Sequence, residues 1–322
     1  KFSELFGIEP KTKNEKTLQI HFDIGASAQK VLEEVILKMV NHIHTKTKMK
    51  NLCIGGGVAL NGVANYKILS DGPFENIHIP PSPGDAGSAV GAAQYLYYVY
   101  HKNPKNISDN AQLIKENVYV GPSYSNKKIK SFLDSKEILY ESFDDVTILQ
   151  KTAQLIADGN VVGWFQGKME WGPRALGNRS ILADPRRSDM KDILNAKIKH
   201  RESFRPFAPS VMEEYASEYF EMDIPSPYML MVSPVKKAKE IPAVTHVDGT
   251  GRLQTVSKES NELYYNLINE FYKITGVPVI INTSMNVMGE PIVNTPEHAY
   301  NMILKTDMDF LVLGNYLISG RK

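Results

Sequence analysis

Apolar positions recur at spacings of three and four between residues 26 and 47. Val31, Val35, Ile36, Met39, Val40 and Ile43 there share one face of a predicted helix. The run Asn51-Leu52-Cys53-Ile54 ends at Gly55-Gly56-Gly57, the pattern of a buried strand entering a tight glycine turn. A helix over 59–69 and a strand over 76–80 follow, and that strand runs into Pro81-Ser82-Pro83-Gly84-Asp85. Small residues (Gly87, Ser88, Ala89, Gly91, Ala92, Ala93) then open a helix over 86–100 that can pack closely on a sheet or a ligand. Residues 102–116 are polar and read as a linker, which places domains at 1–110 and 117–322. Beyond it the pattern predicts strands at 118–120, 138–140, 161–165, 277–281 and 310–313, and helices at 125–133, 146–158, 261–275 and 296–305. Alternating helices and strands argue for an α/β architecture in both parts.

A length of 322 residues suits about two domains. With 42% apolar and 23% charged residues, the composition excludes disordered, collagen-like and coiled-coil classes. The single cysteine, Cys53, excludes an internal disulfide framework and fits a reducing compartment, so a cytoplasmic location is expected. No run approaches the roughly 18–20 apolar residues of a membrane span, and the opening residues lack a signal-peptide core, so no membrane partner is expected. A net charge of +1 gives no global argument for a polyanionic partner.

Charge is nevertheless concentrated locally. Residues 168–205 hold ten Lys/Arg against five Asp/Glu, with arginine outnumbering lysine six to four. A solvated basic face is the plain alternative. Against it, Arg174 and Arg179 stand among turn-forming residues in Gly172-Pro173-Arg174-Ala175-Leu176-Gly177-Asn178-Arg179, and Arg201 and Arg205 are interleaved with Phe204, Pro206 and Phe207. A guanidinium fork grips phosphate or carboxylate oxygens two at a time, so arginines on rigid turns suit a triphosphate or an acyl phosphate. Nucleic acid would ask for a broader basic surface and a higher pI than 7.9, and is not expected as a partner.

Weaker signals accompany this one. Asn282-Thr283-Ser284-Met285-Asn286 follows an apolar strand, where α/β folds place ligand groups or simple Asx and Ser turns. Gly55-Gly56-Gly57 through Asn61 allows a phosphate or ribose to approach bare backbone, without matching dinucleotide or Walker spacings. Asp85 at a helix start is either an N-cap or, with partners from elsewhere, a metal ligand. The stretch 246–254, His246 through Gln254, reads as a loop dense in functional residues or as a surface turn. No Ser-His-Asp order, HExxH or CxxC pattern supports a hydrolase or a structural zinc site.

Together these motifs resemble the O-carbamoyltransferase family of the NodU and CmcH type. The matching stretches are 56–61, 84–87, 170–186, 195–209, 246–256 and 282–293, in the family's order and over nearly the whole chain. The resemblance implies an α/β fold in which part of an actin-like ATPase-class (ASKHA) subdomain precedes a YrdC-like α/β domain. It implies an ATP-dependent O-carbamoyltransferase. ATP and carbamoyl phosphate give carbamoyl adenylate, and the carbamoyl group passes to a hydroxyl of a small acceptor of the sugar, nodulation-factor or antibiotic type. A divalent metal is implied, iron at the transfer site and magnesium with ATP.

On that resemblance Arg174, Arg179, Arg201 and Arg205 are the catalytic candidates and Lys168 supports them. Ser284 and Asn286 match a Ser-x-Asn that holds nucleotide or phosphate. Gly56, Gly57 and Asn61 would sit by the adenylate, and Asp85 matches a metal ligand. The family's His-x-x-x-His pair has no match, since His42 and His44 are wrongly spaced. The chain is therefore expected to be the C-terminal part of a longer protein, lacking half of the transfer site and not competent for the full reaction. The other functions to separate are a tRNA-modification relative forming threonylcarbamoyl adenylate and a non-catalytic nucleotide-binding regulator.

Overall fold

The computed structural model describes residues 1–12, 15–104 and 117–320. They fall into two compact units, Lys1–Leu52 with Lys67–Ile77, and Cys53–Tyr66 with His78–Lys322. This division differs from the expected split at 102–116, of which 105–116 lie outside the described residues. The physical reason is local packing. The segments after Cys53 and after His78 belong to the same compact body as the residues beyond 117, as when Asn65 Nδ2 donates to Leu230 O (2.8 Å).

In the smaller unit the periodic apolar pattern does form a helix, Gln19–Thr47, longer than the 26–47 expected. It ends at Lys48 in the left-handed region (φ 56°), and His44 meets Phe74 edge-on at 5.3 Å. Of its apolar face only Val40 is buried, while Val31, Val35, Met39 and Ile43 stay exposed. Strands β1 (Asn51–Cys53) and β2 (Asn76–His78) form a two-stranded sheet. In the larger unit, the helix predicted over 86–100 is Asp85–Gln94 continued by a wider π-type turn, Tyr95–Tyr100.

The larger unit is built on a nine-stranded mixed sheet. Its strands are β3 (Glu141–Ser142), β4 (Val162–Phe165), β5 (Arg179–Ala183), β6 (Ala208–Met212), β7 (Met231–Pro234), β8 (Thr250–Val256), β9 (Val279–Ser284), β10 (Phe310–Leu313) and β11 (Tyr316–Ser319). Their order across the sheet is β3-β11-β10-β4-β5-β9-β6-β8-β7. Every residue of β4, β5 and β6 is buried, which is why these segments show no polar/apolar alternation. The predicted strand at 118–120 reduces to one bridge, Tyr119 to Glu170, and that at 138–140 shifts to β3.

Helices cover the sheet for reasons legible in their ends. Glu262–Thr275 starts where the Asn261 side chain accepts the Tyr264 N–H, buries Tyr264, Leu267, Ile268 and Phe271, and stops at Gly276 (φ 71°). It packs on Asp145–Ala157, capped by Asp144, and against β6 and β9. Pro296–Lys305 is capped by the Thr295 side chain and packs on β10 and β4. Among the described residues no helix is long and apolar enough to cross a membrane.

Antiparallel pairing of β9 with both β5 and β6 decides where the chemistry lies. Ser284 faces Ser180, and Asn282 faces Leu182 on one side and Ala208 on the other. The end of β9 therefore meets the beginnings of β5 and β6 at one margin of the sheet. Just before β5, Gly177 turns at φ 106°, and a Cβ there would lie 2.3 Å from a Tyr264 ring carbon. Gly177→Ala is expected to cost about 2 kcal/mol or more. A chemical denaturation series in which its midpoint equals that of the parent chain would contradict this packing.

Candidate functional site

A cavity of about 320 Å³ opens at that margin. Arg174 and Ala175 line it from the turn before β5, Arg201 and Arg205 from the loop before β6, Arg252 from β8, and Asn282, Thr283 and Ser284 from the end of β9. Met229, Val232 and Phe207 give it an apolar wall, and His246 completes it. Four guanidinium groups thus share one cavity whose lining, among the described residues, holds no Asp or Glu.

Each arginine is held differently. The turn Leu194–Lys199, π-type like that at 95–100, ends at His200 in the left-handed region (φ 48°), which reverses the chain and presents Arg201. Arg201 Nε donates to Asn195 Oδ1 (2.8 Å), and its guanidinium stands 4.9 Å from the Phe207 ring centre. The Asn195 amide donates to the carbonyls of Ser203 and Arg205, bracing the whole loop. Arg205 pairs with Glu202 at 2.9 Å and is the most exposed of the four. Arg174 and Arg252 each have a buried Nε with no partner among the described residues. Burial lowers the Arg252 guanidinium to about 9, and Arg174 and Arg201 add to the effect. Burial also lowers Arg174 and Arg201. His246 Nδ1 lies 3.0 Å from Thr250 Oγ1, its Nε2 is buried without a partner, and burial disfavours its charged form.

Behind Ser284 sits Lys199, almost wholly buried. Its Nζ donates to Ser284 O (2.5 Å), Asn286 O (2.9 Å) and Asn286 Oδ1 (3.0 Å), with Ser284 Oγ at 3.3 Å. Ser284 Oγ in turn donates to Asn286 Oδ1 (2.6 Å). Burial, with Arg201 nearby, pulls the Lys199 ammonium down to about 7. Ser284 and Asn286 are thus joined to the basic segment as a single unit.

The structure redistributes the sequence candidates. Arg174, Arg201, Arg205 and Ser284 line the cavity, and Asn286 adjoins it through Ser284 and Lys199. Arg179 does not. It is fully buried, its Nη1 donates to Gln166 O and Asn178 O, and its Nη2 donates to Pro122 O and Gly167 O. Its guanidinium lies 3.7 Å from the Phe165 ring centre, so its donors hold backbone rather than ligand. Lys168 is exposed and outside the cavity lining. Lys199, two residues before Arg201, is the buried lysine of this segment.

Gly56, Gly57, Asn61 and Asp85 also lie outside this cavity. They belong to a neighbouring pair of turns in which Gly56 N–H donates to Pro83 O (2.7 Å) and Asn61 Oδ1 accepts the Ala64 N–H (3.0 Å). Asp85 is exposed at the first position of its helix, and Gly84, not Asp85, is the N-cap. No group of three His, Cys, Asp or Glu able to hold a metal occurs among the described residues. Asp85 by itself does not make a metal centre among the described residues.

Sequence reasoning missed Arg252 and His246 as cavity groups, and Lys199 as the buried group behind Ser284. Arg252 and Gln254 are two apart on β8 and share a face, so the stretch taken as a loop or surface turn is in part a buried strand.

Comparisons with known proteins agree with the motif resemblance. A family model described as "Carbamoyltransferase C-terminus" matches residues 153–320, and "Carbamoyltransferase N-terminus" matches residues 1–94. Both models match within this chain, so its expected framing as the C-terminal part, half of the first domain plus the second, is not borne out. Nodulation protein NolNO of Sinorhizobium fredii is 45% identical over 98% of the chain and 47% of its own length. Nodulation protein NolO of Bradyrhizobium diazoefficiens is 41% identical over 98% of the chain and 58% of its own length. The chain spans about half the length of the curated relatives it matches. Among solved structures, full-length HypF in the phosphate- and nucleotide-bound form aligns over 89% of this chain and 45% of its own, at 14% identity and a TM-score of 0.37.

Proposed function

The chain belongs to the carbamoyltransferase family, and from that premise we propose that its arginine cavity is where ATP and carbamoyl phosphate are converted to carbamoyl adenylate. The carbamoyl group is then passed to a hydroxyl of a small-molecule acceptor. The observation that carries the reading is the set of four guanidinium groups around one cavity with no carboxylate in its lining. Such a lining is costly when empty and complementary to several phosphate charges when filled.

Atom balance defines what the cavity must do. Carbamoyl phosphate gives up inorganic phosphate with uptake of water, leaving carbamate. A carbamate oxygen attacks the α-phosphorus of ATP, the bond to the β-phosphate oxygen breaks, and pyrophosphate leaves. Negative charge accumulates on the departing oxygens, and Arg174, Arg201 and Arg252 line the cavity that would hold them. Ser284 lines the cavity at the end of β9, its hydroxyl donating to Asn286 Oδ1, and the Lys199 ammonium bonded behind it adds positive charge there. A divalent metal that travels with the nucleotide would share this neutralisation, but no carboxylate of the lining is placed to hold one. In this reading residues 117–322 correspond to the YrdC-like domain and residues 1–110 to part of an actin-like ATPase-class subdomain.

The test is release of pyrophosphate from ATP by this chain, with and without carbamoyl phosphate. Stimulation by carbamoyl phosphate is the predicted result. Stimulation only by threonine with bicarbonate assigns the site to the threonylcarbamoyl-adenylate chemistry instead, and ATP binding without release assigns it to a regulator. Within that assay Arg201→Ala is expected to lower the rate about tenfold, the lower end for a lost charged hydrogen bond, because Arg201 is half-buried. Arg205→Ala is expected to do less, since Arg205 is exposed and shares its charge with Glu202. Both variants should melt close to the parent. A large loss of folding in either would make these arginines structural.

A further inference from the structure

We propose that Glu170 is a positioning residue for the arginine cavity: its buried carboxylate holds the 172–179 turn in the one shape that carries Arg174 into the site. This rests on the anion-binding reading above and deepens it. Glu170 Oε1 accepts three backbone N–H groups from the far side of the turn, those of Leu176 (2.7 Å), Asn178 (2.7 Å) and Arg179 (3.1 Å). Three donors from a four-residue stretch can meet one oxygen only if the chain curls around it, and the left-handed Gly177 provides that curl.

Other bonds fasten the same curl to the sheet. Leu176 O accepts from Tyr119 OH (2.8 Å) and from Gln254 Nε2 (3.0 Å). Arg179 anchors the end of the turn through the carbonyls already described. Arg174 leaves this turn two residues before Leu176 and, with its neighbour Ala175, lines the cavity. Glu170 itself is buried and does not line the cavity, so it touches no ligand there. Its Oε1 is met by oriented N–H groups while Oε2 is buried with no hydrogen-bond partner among the described residues, and such charge-assisted bonds weaken when the acceptor becomes neutral. The carboxylate therefore acts on bound phosphate only through Arg174.

Calorimetric titration of this chain with inorganic pyrophosphate tests the proposal. Glu170→Gln is expected to weaken binding about tenfold, the lower end for an outer residue that orients a ligand-binding group. Arg174→Ala should weaken it by a similar factor, and the double variant should be no weaker than Arg174→Ala alone. In an Arg201→Ala background Glu170→Gln should keep its full effect. Equal losses in both backgrounds, or unchanged affinity in Glu170→Gln, overturn the proposal. If the unsubstituted chain does not bind pyrophosphate, the anion reading falls with it. Affinity that survives Glu170→Gln overturns the proposal alone. Should Glu170→Gln fail to fold, hydrogen exchange of the unsubstituted chain decides. Slower exchange at Leu176, Asn178 and Arg179 on adding pyrophosphate supports the proposal, and unchanged rates overturn it.

Discussion

Arg252→Met is expected to weaken pyrophosphate binding about a hundredfold while raising the melting temperature. The two effects share one cause. Arg252 has a buried Nε without a partner, its charged neighbours are Arg174 and Arg201, and no acid lines the cavity. A guanidinium in that setting is destabilising in the empty chain, and a methionine of similar reach removes the desolvation and the repulsion together. Replacing such a group by an apolar one is expected to add about 1 kcal/mol, or about 2–4 °C in a domain of this size. With a phosphate chain bound, the same charge makes hydrogen bonds at the strong end of the scale, about 3 kcal/mol. Calorimetry and thermal melts on one sample check both signs. A variant that melts lower and binds as before would make Arg252 a structural residue.

Lys199→Met is expected to abolish a rise of stability with pH that the parent chain shows above neutrality. In the unfolded chain a lysine keeps its proton to about pH 10.4. In the folded chain burial brings Lys199 to about 7. Between those values folding releases a proton, so stability rises with pH, at most by about 1.4 kcal/mol per unit. Below about 7 both states carry the proton and the buried charge weighs most heavily against the fold. A bound polyanion reverses the preference by favouring the ammonium, so binding takes up a proton. Pyrophosphate affinity should accordingly fall between pH 7 and 9 more steeply in the parent than in Lys199→Met. Denaturation midpoints and titrations across that range measure both slopes, and parallel pH profiles for the two proteins would place the Lys199 titration elsewhere.

The legible parts of this chain were those whose signal is local. The helices at 261–275 and 296–305 declare themselves through an apolar period, an Asn or Thr cap, and a glycine or proline at an end, and the structure has them within a residue. Strands β5, β6 and β8 were not read, because arginine, proline and glutamine interrupt their apolar runs, and buried polar residues on a strand look like loop until their partners are known. Ser210 and Asn282 both donate to Gln254 Oε1 across three strands, a pairing of residues 28 and 44 positions apart that no window of sequence contains.

The same reasoning applies to the site. Arg174 and Arg201 were found because their turns are written in Gly, Pro and Phe. Arg179 was misread because its motif gives no hint that four carbonyls would close around it. Lys199 was passed over because burial alone distinguishes it from the solvated lysines of the same run.

A crystal structure of this chain grown with pyrophosphate tests the central claim most directly. The predicted result is one pyrophosphate at the end of β9, with its oxygens within hydrogen-bond distance of Arg174, Arg201 and Arg252. Pyrophosphate bound elsewhere, with those three side chains unmoved around an empty cavity, would contradict the account.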